Sequence, residues 1–123
     1  PWLIARFIDK APEFLYVPAA SVLRVAQDTG AIPYDVPGVE MTHDGNLCSF
    51  DAFLKKYGLT EPALQQLAVI VRGADTSRLD LAPQSAGLYA LSLGLSQTFR
   101  NDHEMLGHGM VMYNALHAWC KSC

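Results

Sequence analysis

No run of apolar residues in this sequence approaches the ~20 that a helix needs to cross a bilayer, and no charged, apolar and small-residue series resembles a secretion signal. A basic tract is also missing: Lys and Arg number 9 against 12 Asp and Glu, with neither sign gathered into a block. Binding to phosphate backbones needs clustered cations, so no direct nucleic-acid contact and no membrane contact is expected of this segment. Cysteine is scarce and odd in number, with only Cys48, Cys120 and Cys123. An odd count is a poor disulfide framework, so free thiols and a cytoplasmic location are expected. A Gly-rich phosphate loop, a G-x-S-x-G elbow and an H-E-x-x-H pair are all absent, which removes the common nucleotide, hydrolase and zinc-protease motifs. No Met precedes Pro1, so further residues are expected upstream in a longer chain.

What is present fits a single core. The chain has 123 residues, of which 50% are hydrophobic, enough for one domain over residues 1–123. Apolar residues at helical spacing predict helices over 2–9, from Ala19 to a Gly30 cap, from Ser49 or Asp51 to about Lys56, and from Thr60 to Asp75. Two more follow, from Ser85 to about Ser96 and from Asn101 or Asp102 to about Trp119. The leucines of the Ser85 helix leave it little polar face, which predicts a central position. Short branched or aromatic runs at Glu13 to Val17, Ala31 to Asp35 and Val39 to Thr42 read as strands, the last two parted by a Pro37-Gly38 turn. The expected fold is therefore helix-rich α/β, a small sheet of two to four short strands packed with about six helices.

Chemistry concentrates around the polar insert Arg72 to Asp80, which separates two strongly apolar segments. His43, Asp44, Asp75 and His103 are one candidate set, imidazoles and carboxylates able to hold a divalent metal such as manganese, iron or zinc. The plainer alternative has Asp44 making a turn, Asp75 pairing with Arg72 or Arg78, and His103 beginning a helix. A second candidate is an oxyanion pocket from Arg72, Arg78 and Thr76, with Ser77, Ser85 and the Cys48 thiol nearby. Surface ion pairing is its plain alternative. Cys120 and Cys123 form a lone C-x-x-C at the terminus, a weak zinc signal, and the Met105, Met110 and Met112 set suits core filling. His108 and His117 are expected to be partly buried in the last helix.

Five phrases, Trp2 to Asp9, Gly30 to Glu40, Cys48 to Phe50, Arg72 to Asp80 and Ala90 to Leu95, resemble the C-terminal domain of bacterial chromate-resistance proteins of the ChrB type. The resemblance covers essentially the whole chain. It implies a domain found alone, behind a regulatory region or beside a rhodanese-like domain; in the regulatory arrangement the protein responds to chromate and controls its efflux. Family members are often labelled exported, although no export signal is present here. The family pattern also carries an Asp-Arg-Ile-Ala-Cys type segment before the position of Pro1. Three readings follow: a module that binds or senses chromate, another small oxyanion or a product of chromate reduction; a metal-dependent hydrolase or redox enzyme; and a structural domain that forms a homodimer.

Overall fold

The computed structural model describes residues 1–123, and its named elements are all helical. A π-helical turn at Ile4–Ile8 precedes a short 3-10 turn at Ala19–Ser21, which leads directly into α1, Val22–Thr29. α2 spans Ser49–Lys56, α3 Pro62–Asp75, α4 Ser85–Thr98 and α5 Asp102–Ser122. Their boundaries follow local chemistry. α1 stops where Gly30 turns left-handed at φ 77°, a conformation that a Cβ disfavours. Pro62 opens α3, where its missing N–H costs nothing, and the Asn101 side chain accepts the Glu104 N–H to start α5.

α3 forms the centre, packed against α2, α4 and α5. Its Leu64, Leu67, Ala68 and Ile70 are at most 2% exposed, and Trp2, Leu3, Phe53, Leu54 and Leu88 close around them. Gly73 lets α4 approach: a Cβ there would lie 2.3 Å from Ser85 Oγ, which donates instead to the Ile70 carbonyl at 3.0 Å. The N-terminal turn is fixed to α5 through Trp2 Nε1, which donates to Asn114 Oδ1 at 2.9 Å, and through ring contacts of Trp2 with Tyr113 and His117.

Two expectations are overturned. No sheet forms: extended pairing amounts to isolated bridges between Tyr34 and Met41 and between Asp44 and Leu47. Leu15, Tyr16 and Val17 project outward with no partner strand, and the Pro37-Gly38 turn leaves the two following runs joined by one backbone bond, Asp35 N–H to the Met41 carbonyl. A strand gains its stability from neighbours and a buried face: the run from Glu13 to Val17 has no buried residue and no partner, and the pairing of Tyr34 with the buried Met41 does not extend beyond one bridge. Nor is α4 central. Only Ser85 and Leu88 are buried, while Leu91 is 59% exposed. A helix apolar on every side gives no periodic signal of which face turns inward, so its composition overstated its burial.

Candidate functional site

One end of α3 meets the loop that precedes α2, and the titratable groups gather there. Asp75 is the last residue of α3, and its Oδ2 lies 3.0 Å from His43 Nε2. The other ring nitrogen, Nδ1, lies 3.7 Å from Asp35 Oδ1. One ligand atom from each of Asp35, His43 and Asp75 falls within 4.8 Å of the others. Asp35 holds its position through a left-handed backbone, φ 58°, and through Ser49 Oγ, which donates to its Oδ1 at 2.8 Å. Asp is among the few residues with a side chain that tolerate that conformation. Ser49 is itself buried in the first turn of α2, so the loop is tied to the helix core.

The electrostatics favour a cation. Burial, and then the neighbouring Asp35 charge, raise the Asp75 carboxyl above its ordinary value, against the smaller opposing pull of His43. Two carboxylates held this close repel each other, and a cation between them cancels that repulsion. A carboxylate–imidazole–carboxylate set from one loop and the end of α3 supplies hard and borderline donors for a divalent or trivalent ion.

The site opens onto a cavity of about 230 Å³, whose lining includes Asp35, Ser49 and Asp75 together with Trp2, Tyr34, Phe50 and Tyr113. Burial, followed by smaller effects of nearby negative charges, pushes both the Tyr34 and Tyr113 phenols up to about 12. Both are therefore neutral hydrogen-bonding groups at physiological pH.

The remaining sequence candidates lie elsewhere. Arg72 is engaged by Asp51, with Nη2 to Oδ1 at 2.7 Å and Nε to Oδ2 at 3.0 Å, a bidentate fork. The same carboxylate accepts from the Cys48 amide at 3.0 Å and the Cys48 thiol at 3.4 Å. Cys48 begins α2, is 1% exposed, and is pushed up to about 11 chiefly by burial, so its thiolate is scarce at neutral pH. Arg78 pairs on the surface with Asp80 at 3.5 Å, and Thr76 Oγ1 donates to the Arg72 carbonyl at 2.6 Å. Arg72 and Cys48 thus meet at Asp51, while Arg78 and Thr76 have separate partners. Asp44 makes the turn bridged to Leu47 and lines a second hollow with Lys55 and Lys56. His103 packs edge-on against Tyr16 at the start of α5, outside the His43 cluster. Cys120 is buried and Cys123 exposed, and both are free.

Asp35 and Ser49 escaped the sequence reading as site residues. Asp35 fell in an expected strand, and Ser49 was read as a helix cap. The signal for Asp35 is its position before Val36-Pro37-Gly38, where an acidic residue in a left-handed turn points its carboxylate back toward the following loop. His117, read as partly buried, is 2% exposed, with Nε2 lying 3.0 Å from Glu61 Oε1.

Comparison with known proteins agrees with the phrases quoted from the sequence. Protein ChrB of Cupriavidus metallidurans is 31% identical over 122 residues, covering 98% of this chain and 36% of that protein. The chain thus spans about a third of the length of that curated relative. No solved structure matches it. The family model for the ChrB C-terminal domain matches residues 1–120, and the chain therefore belongs to this chromate-resistance family.

Proposed function

We propose that this domain serves chromate resistance by binding a metal cation at Asp35, His43 and Asp75, and that the ion it reads is a reduced product of chromate, trivalent chromium, in place of the oxyanion. The observation that carries this reading is the convergence, within 4.8 Å, of one ligand atom from each of the exposed residues Asp35, His43 and Asp75, two of which are carboxylates. Chromate is a dianion and would face two carboxylates there. Both arginines suited to it are already engaged, Arg72 by Asp51 and Arg78 by Asp80. Trivalent chromium is a hard cation that prefers carboxylate oxygen, and the cell's reductants produce it from chromate. In a longer ChrB-type protein, loading of this site would tie the loop before α2 to the end of α3 and so present an altered surface to the rest of the chain.

The test is equilibrium dialysis at pH 6 against trivalent chromium or chromate, with chromium measured by elemental analysis. Wild-type protein is expected to retain trivalent chromium and His43→Ala to lose it. Retention of chromate by the wild type, abolished in Arg72→Ala, would overturn the cation reading.

A further inference from the structure

The cavity beside α3 joins aromatic walls to an excess of negative charge. Its volume of about 230 Å³ lies below the roughly 300–1,000 Å³ typical of sites for drug-sized molecules, so it suits a compact ligand. Eight of its twelve lining residues are hydrophobic, and five of these, Trp2, Tyr34, Phe50, Phe53 and Tyr113, are aromatic. No Lys, Arg or His lines it, while Asp35 and Asp75 both do. Hydrogen-bond acceptors are left over there. Asp35 Oδ1 is met by Ser49 and His43, and Asp75 Oδ2 by His43, but the second oxygen of each carboxylate has no partner within the chain. The Tyr34 and Tyr113 hydroxyls have none either, and neither is sealed from solvent. The Pro1 amine also lines the cavity; burial, against the smaller pull of Asp35, holds it below its ordinary value, so at pH 8 it is largely uncharged.

We infer that this cavity binds a small primary amine as its ammonium ion, the hydrocarbon part against the aromatic walls and the N–H groups donating to Asp35, Asp75 and the tyrosine hydroxyls. An ammonium ion is attracted by carboxylates and by aromatic rings alike. It carries donors and no acceptor, and the cavity offers acceptors that lack donors. A carboxylic acid would instead meet two like charges, and a neutral molecule of the same shape would gain the apolar contact without the electrostatic one. A quaternary ammonium has no N–H group to give. The inference goes beyond the metal reading and requires no bound ion; it makes an organic cation and a metal cation alternative occupants of Asp35 and Asp75.

The experiment uses the 123-residue chain, freed of metal by a chelator and held at pH 8, with benzylamine, benzyl alcohol and benzoate as probes. Binding is followed by NMR at the indole N–H signals of Trp2, which lines the cavity, and Trp119, which does not, the Trp119→Phe spectrum assigning them. Benzylamine is expected to shift the Trp2 signal and to bind about tenfold tighter than benzyl alcohol, with benzoate weaker than either. The Asp75 side chain is 42% exposed, so Asp75→Asn leaves the core intact; it is expected to weaken benzylamine about threefold or more and leave benzyl alcohol unchanged. Benzylamine binding no tighter than benzyl alcohol, a shift confined to Trp119, or equal benzylamine affinity in wild type and Asp75→Asn would overturn the inference. Each of those results leaves the metal reading standing, because that reading is decided separately by retention of trivalent chromium.

Discussion

Replacing Asp51 by Asn tests whether Arg72 belongs to the framework of the domain. In the wild type the Asp51 side chain is 9% exposed and that of Arg72 24%, and the two form a bidentate pair joining α2 to α3. Leaving a buried charge without its partner costs about 3–5 kcal/mol, and the partial exposure of Arg72 brings the expected loss to about 2–3 kcal/mol. With an unfolding entropy of about 2.1 cal/mol/K per residue, that loss lowers the Tm by about 8–12 °C for a chain of this length. The comparison is Arg78→Ala, whose pair with Asp80 is on the surface and is expected to change stability by less than about 1 kcal/mol. Differential scanning calorimetry at pH 7 reads both. The pH dependence adds a second check. Burial raises the Asp51 carboxyl, but hydrogen bonds from Arg72 and Cys48 outweigh it and hold the group below its ordinary value. A lowered folded-state value means that its contribution is complete above the unfolded value of about 4 and is lost as the pH falls through the folded value. Asp51→Asn should therefore flatten the acid limb of the stability curve below about pH 4. Equal, small losses for Asp51→Asn and Arg78→Ala, with unchanged acid limbs, would refute the reasoning.

Other consequences follow from packing and burial. Gly73→Ala puts a methyl 2.3 Å from Ser85 Oγ and 2.8 Å from the Arg78 carbonyl, so urea unfolding should show a loss of about 1–3 kcal/mol from overpacking. Glu61→Ala leaves the His117 Nε2, on a ring only 2% exposed, without its partner, and should cost about 1–3 kcal/mol in the same assay. Thiol labelling at pH 8 should modify the exposed Cys123 quickly, while Cys48 and Cys120 react only after denaturant is added; rapid labelling of Cys48 in the folded protein would contradict its placement.

The helices were legible because their signals are local. Pro62 at the start of α3, Asn101 at the start of α5 and Gly30 at the end of α1 act within one turn of the chain, and each took its expected place. The strands were misread because Phe14, Leu15, Tyr16 and Val17 have strand-like side chains whose state depends on a partner that sequence does not reveal. The site divided along the same line. His43 and Asp75 were identifiable as ligand types, yet their closure at 3.0 Å depends on how α3 packs against the loop. Asp51 was read only as a cap for α2, although it holds Arg72 from 21 residues away, beyond the reach of any helical spacing rule. That long-range pair removed the arginine most suited to an oxyanion.

Calorimetric titration of metal-free protein with Mn²⁺ at pH 7, repeated on Asp75→Asn, tests the central claim most directly. The account predicts saturable binding of a single ion per chain, weakened at least tenfold in Asp75→Asn while that variant unfolds at a temperature close to wild type. No saturable binding, or equal affinity in the two proteins, would contradict it.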